Sequence, residues 1–212
     1  MLGLARSDAS ANAVAALEGS GRPLVVSSGM STQPGRVGTE DDSITAVLPH
    51  KSEETALSMT GRGVRATVVR LAPSVHGDGD HGLVATLVRS AREKGFAVYI
   101  GDGKNRWPAV HRFDAARIYR LALEKGAAGA RFHGVAEEGV AIRELAEAIG
   151  RRLNVPAVSK TREEANALLG FIGHILAMDI PASSALTQQR LGWRPTGPGL
   201  IADLEKGRYF DA

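Results

Sequence analysis

Two short apolar runs, each passing directly into small polar residues, constrain this chain more than any other feature. One is Pro23-Leu24-Val25-Val26-Ser27-Ser28-Gly29. The other runs from Val64 to Leu71 and is followed by Ala72-Pro73-Ser74. Short runs of this kind, rich in β-branched residues, read as strands of a parallel sheet that helices bury. Phe96 to Ile100, Trp107 to His111, Arg131 to Val135 and Pro156 to Ser159 extend the set. Helical stretches fall between them: Ser10–Leu17, Ser52–Met59, Leu83–Lys94, Phe113–Lys125, Ile142–Leu153, Glu163–His174, Ala185–Leu191 and Leu200–Lys206. Ser52 and Asp114 are placed to cap helix starts, and Gly95, Gly126 and Gly192 to end helices. Residues 30–50, and the Gly/Asp/His run from Val75 to Gly82, read as loops. Strand and helix alternate through the first two-thirds, which predicts an α/β parallel sheet, and the last third is mainly helical.

Composition narrows the chemistry. With no Cys among 212 residues, disulfides, thiolate zinc sites and thiol nucleophiles are excluded. The formal charge of +3 is spread over interleaved acids and bases, and aromatics are only 5% of the chain. Neither a basic track nor a stacking surface for nucleic acid is expected. The N-terminal residues lack a signal-peptide pattern, no apolar run is long enough to span a membrane, and a cytoplasmic protein is expected.

The serines at the end of the first run are candidate ligand contacts, because ligands of open α/β sheets bind beyond the carboxyl ends of the strands. Ser27 or Ser28 could donate a hydrogen bond to a carbonyl oxygen, or could simply satisfy backbone groups there. The six histidines, His50, His76, His81, His111, His133 and His174, do not follow metal-ligand spacing, and no metal is expected. Gly77 to Gly82 matches G-x-G-x-x-G, but Pro73 separates it from the strand, and Asp78 and Asp80 would crowd a pyrophosphate. Asn105, Arg106, Trp107, His111 and Arg112 could line a polar pocket, or be a packed Trp among solvated Arg residues.

From about Gly19 onward the chain resembles the later part of the atypical or extended short-chain dehydrogenase/reductases, the NAD-dependent epimerase/dehydratase-like group. Residues 19–29 (GSGRPLVVSSG), 68–82 (VVRLAPSVHGDGDHG), 101–126 (GDGKNRWPAVHRFDAARIYRLALEKG) and 191–207 (LGWRPTGPGLIADLEKG) carry the resemblance. It implies a Rossmann-like parallel sheet, incomplete at its N-terminal side, in residues 1–100. Residues 101–212 would then hold a mainly helical substrate lobe and returning sheet elements. It implies a catalytic role for Ser28, with Ser27 beside it, and contact of Pro73, Ser74 and Val75 with a nicotinamide. His76, Asn105, Arg106, Trp107, His111 and Arg112 fall to the substrate side.

Where the family has its Tyr-x-x-x-Lys pair, this chain has Pro49 and Glu53. Its opening residues resemble the end of the family's second strand, where Arg6 and Ser7 would suit a 2′-phosphate and so favour NADP over NAD. The Gly-rich phosphate turn that begins such proteins is not found. The expected activity is NAD(P)-dependent oxidation–reduction, or epimerase/dehydratase-like chemistry, on a small carbonyl or alcohol, with the chain truncated and inactive alone. The alternative is a non-catalytic binding or regulatory module. Sheet edges left bare by missing strands predict self-association.

Overall fold

The computed structural model describes residues 16–30, 33, 35–43 and 51–210. In chain order the first elements are β1 (Pro23–Gly29), α1 (Lys51–Ser58), β2 (Arg65–Leu71), β3 (Ser74–His76) and α2 (Leu83–Lys94). Next come β4 (Ala97–Ile100), β5 (Arg106–His111), α3 (Arg112–Lys125), β6 (Arg131–Gly134), β7 (Glu137–Ala141) and α4 (Ile142–Leu153). The last are β8 (Ala157–Lys160), α5 (Arg162–Leu169), α6 (Phe171–Leu176), α7 (Ala185–Leu191) and α8 (Leu200–Lys206). No helix among the described residues is long and apolar enough to cross a membrane.

The strands form three small sheets. β1, β2 and β6 are parallel with β2 in the middle, β4 pairs with β8 in parallel, and β5 lies between parallel β3 and antiparallel β7. Alternate residues of β2 serve opposite faces. Ala66 and Val68 pack with Ala56 of α1 and with Met59 just after it, whereas Val69 packs with Ala115 and Ile118 of α3 and with Phe132. This double cover explains why the middle of β2 is buried on both faces, with Thr67 and Arg70 enclosed among Ala66, Val68 and Val69. β1 is only half-buried, because among the described residues it pairs on one side alone.

The larger core lies under the second half of the chain. α4 presents Ile142, Leu145, Ala146 and Ile149 on one stripe, and α2 presents Val84, Leu87, Val88 and Ala91. Each buried Leu or Ile on these stripes contributes about 1.5–3 kcal/mol.

Several local expectations are corrected. Helix α1 starts at Lys51, so Ser52 lies in the first turn and its hydroxyl turns toward the Ser27 carbonyl, 3.5 Å away. Helix α3 starts at Arg112, so Asp114 is no cap. Instead its carboxylate accepts from the Thr196 and Gly197 N–H groups at 3.0 and 2.8 Å and pairs with Arg117 at 2.8 Å. The stretch from Glu163 to His174 is two helices, broken at Gly170 (φ 58°, ψ −131°). β3 and β7 carry no strand signal of their own, since one is three residues long and the other, Glu-Glu-Gly-Val-Ala, has no apolar alternation. Both owe their conformation to pairing with β5.

Candidate active site

The carboxyl ends of β1, β2 and β6 carry one lateral row of polar residues. Ser28 is in register with Arg70, and Arg70 with His133. Period-two alternation puts all three on the α1 face, and neighbouring strands set Ser28 and His133 about 10 Å apart. Ser27 faces the opposite way, where its hydroxyl shares a 2.7 Å hydrogen bond with the Tyr119 phenol of α3. Burial raises the pKa of that phenol, and the bond to Ser27 partly offsets the shift. The two serines that the sequence set side by side therefore serve different faces.

Glu53 is buried against this row. Arg70 grips its carboxylate with two bonds, Nε to Oε2 at 3.1 Å and Nη2 to Oε1 at 2.7 Å, and Arg131 Nε adds a third at 2.8 Å. Burial pushes the carboxyl pKa up, but the bonds to Arg70 and Arg131 outweigh it and hold the group below its ordinary range. The cluster binds α1 to β2 and β6 and leaves Glu53 engaged. Among the sequence-derived candidates, Arg6 and Ser7 lie outside the described residues, as do Pro49 and His50.

The loop that follows β1 is fastened to α7 and the segment before it. Gly38 N–H donates to the Pro181 carbonyl and Ser183 N–H to the Gly38 carbonyl, both at 2.8 Å. Glu40, fully buried, accepts from the N–H and hydroxyl of Thr187, each at 2.6 Å. The Thr187 hydroxyl in turn accepts the His133 N–H at 2.7 Å. Burial lowers the pKa of the His133 imidazole, with Glu40 opposing the shift, and its Nδ1 lies 2.8 Å from the Ser183 carbonyl. The sequence reads Thr39-Glu40-Asp41-Asp42 as an acidic, solvated patch, and this is corrected at Glu40, which Thr187 holds in the interior. Nothing in the sequence marks a polar groove of about 490 Å³ lined by Glu138, Ser183, Ser184, Gln188, Gln189 and Arg194.

After β2, Pro73 and Val75 are half-buried while Ser74 is fully enclosed, with no hydrogen-bond partner for its hydroxyl among the described residues. His76 is buried and bonded through Nδ1 to Asp203 Oδ2 at 2.8 Å. His111 pairs in register with His76, and Arg112 bonds the Asp78 carbonyl. These three residues come together at one end of β5.

Asn105, Arg106 and Trp107 sit at the other end of that strand. Asn105 Nδ2 donates to the Leu176 and Met178 carbonyls at 2.8 and 3.1 Å, Arg106 pairs with Asp179 at 3.2 Å, and the Trp107 ring is fully buried. The six substrate-side candidates thus form two groups, and the second holds segment 176–180 in place. The acids of the Gly77–Gly82 loop turn to the C-terminal segment, Asp78 accepting the Arg208 N–H at 3.1 Å and Asp80 the Tyr209 hydroxyl at 3.2 Å. Among the described residues no group of three or more His, Asp or Glu is placed to hold a metal ion.

No protein-family model matches the chain. An uncharacterized protein of Schizosaccharomyces pombe is 47% identical over 198 residues, covering 92% of this chain and 67% of its own length. An uncharacterized protein of Saccharomyces cerevisiae is 40% identical over 192 residues, covering 89% of this chain and 64% of its own. The chain belongs to one family with these fungal proteins. It spans about two thirds of their length.

The fold of the chain is like that of solved epimerases and dehydratases of the short-chain dehydrogenase/reductase kind. A dTDP-glucose 4,6-dehydratase from Streptomyces venezuelae, solved with NAD, superposes with a TM-score of 0.67 at 19% identity over 87% of this chain and 58% of its own. An epimerase from Methanothermobacter thermautotrophicus gives 0.69 at 16% identity, with coverages of 89% and 59%. A nucleoside-diphosphate-sugar epimerase from Pseudomonas aeruginosa gives 0.63 at 18% identity, with coverages of 86% and 63%.

Proposed function

We propose that this chain forms the nicotinamide-side and substrate-side part of an NAD(P)-dependent enzyme of the oxidoreductase or epimerase/dehydratase-like kind, acting on a small carbonyl or alcohol. The observation that carries this reading is the position of Ser28. It ends a parallel strand on the face that α1 covers, beside the strand that leads into Pro73 and Val75. Ligands of such sheets gather at that end.

The residues present fit one end of the cofactor. Ser28 would hydrogen-bond the substrate oxygen, and the half-buried Pro73 and Val75 would flank the ring. Ser74, being enclosed, would take part through its backbone. A bound nicotinamide would supply hydride exchange with the substrate carbon. The choice between NAD and NADP is left to Arg6 and Ser7, outside the described residues.

Titration of the 15N-labelled chain with NADH tests this. Amide shifts confined to Ser28, Leu71, Ser74 and Val75, weakened in Ser28→Val, are expected. No shift at millimolar NADH or NADPH would overturn it. The engagement of Glu53 with two arginines favours a second reading, a binding module without turnover. Oxidation of NADPH with any small aldehyde by the chain would exclude that second reading.

A further inference from the structure

The polar groove beyond β6 is not used by the nicotinamide site proposed around Ser28. It begins at Ala136, just after the carboxyl end of β6, and that is the end of a parallel sheet where ligands gather. Its volume of about 490 Å³ is that of a small-molecule site. Apart from alanines, the lining is Glu138 of β7, Ser183 and Ser184 before α7, Gln188 and Gln189 on α7, and Arg194. No aromatic or large aliphatic side chain lines it, so its ligand has to be polar.

The wall on the α7 side is already fixed. Ser183 N–H donates to the Gly38 carbonyl, and the Ser183 carbonyl accepts from His133 Nδ1, both at 2.8 Å. Ser184 is 4% exposed, and its hydroxyl accepts from Gln188 Nε2 at 3.1 Å. Ala182 N–H donates to the Glu138 carbonyl at 3.0 Å, which sets β7 against the same segment. Two N–H groups in the first turn of α7 are taken, Ala185 by Ser183 Oγ at 3.3 Å and Thr187 by Glu40 Oε1 at 2.6 Å. Recognition therefore falls to the side chains.

Those side chains carry one charge of each sign. Arg194 Nη1 donates to the Trp193 carbonyl at 2.9 Å, and no carboxylate among the described residues pairs with it. Glu138 has no cation as partner among them either, and the two do not bridge to each other. The neighbouring arginines do find acids, Arg190 at Asp41 and Arg117 at Asp114, each at 2.8 Å. The Gln189 amide and the oxygen of the Gln188 amide are also without partners among the described residues. Arg194 and Glu138 are exposed, so either alone would hold an ion weakly. Together they select a molecule that carries both charges.

We propose that this groove binds a free α-amino acid with a small polar side chain. Arg194 takes its carboxylate, Glu138 its ammonium group, and the amides of Gln188 and Gln189 its side chain. The assignment does not depend on the nicotinamide reading. Because Ser183 lines the groove and also bonds His133 and Gly38, an occupied groove bears directly on the segment that fastens the Gly35–Ser43 loop.

Titration of the 15N-labelled full chain with L-serine, L-asparagine and L-glutamine tests this. At least one should give saturable shifts at the amides of Glu138, Ser183, Ser184, Gln188 and Gln189 in the millimolar range. Arg194→Gln and Glu138→Gln should each weaken that binding by about tenfold, since each removes one charge-assisted contact. The methyl ester and the N-acetyl derivative of the amino acid that binds probe the same two contacts in the unaltered chain, and each should also bind about tenfold more weakly. No saturable shift with any of the three amino acids would overturn the assignment. So would equal affinity for either derivative, or for glucose as a neutral polyol. The reporting amides are not those of the NADH titration, so a failure of one reading leaves the other standing.

Discussion

At the scale of single residues, Glu53 carries the largest consequence. Removing its charge would leave Arg70, 1% exposed, without a counter-ion in a dry setting. Breaking a buried pair in this way costs about 3–5 kcal/mol. Glu53→Gln should therefore shift the denaturant midpoint sharply downward, and an unchanged midpoint would show that water reaches the cluster. Because the folded pKa of Glu53 lies below its ordinary 4.5, its contribution is complete above that pH and is lost as pH falls through the folded value. The acid limb of the unfolding curve should flatten in the variant. Sequence alone showed Glu53 as an acid in the first turn of a helix. It could not show the partners, because Arg131 lies 78 residues away on a strand that only the sheet brings near.

At the scale of elements, apolar period was a sufficient guide wherever the element makes its own pattern, as in α4, whose bounds match the sequence reading. It failed where a partner sets the conformation. β7 is a strand because β5 offers it a ladder. The break between α5 and α6 has a similar cause. A Cβ on Gly173 would lie 2.4 Å from the Ala165 carbonyl oxygen, so the two helices touch through bare backbone. One continuous helix would lose that contact, and Gly170 supplies the turn that makes it. Gly173→Ala should cost about 1–3 kcal/mol by overpacking, read as a lowered Tm. A Tm within a degree of the parent would mean that α6 can slide outward freely.

At the scale of the whole molecule, two segments are strapped across the fold by polar contacts. The Gly35–Ser43 loop is tied to α7, and the segment from Leu200 to Phe210 is tied to His76 and the Gly77–Gly82 loop. Neither strap has a sequence signature, since each depends on single polar contacts between distant segments. The outer edge of β1 has no partner strand among the described residues and carries Leu24, Val25 and Val26 half-buried. Such an edge is a template for pairing, and the chain is expected to self-associate as concentration rises. Sedimentation at concentrations spanning about a hundredfold checks this, and a single monomeric species throughout would contradict it.

The Arg70–Glu53–Arg131 cluster also restricts how a chain like this can change over generations. A Lys placed at Glu53 by one substitution would meet two guanidinium groups in a dry space, and three cations there would unfold the protein before any new chemistry could be selected. The arginines have to change first, and each such step leaves Glu53 less well held. The cluster therefore works as a lock: a cation at this position becomes tolerable only after both arginines have gone.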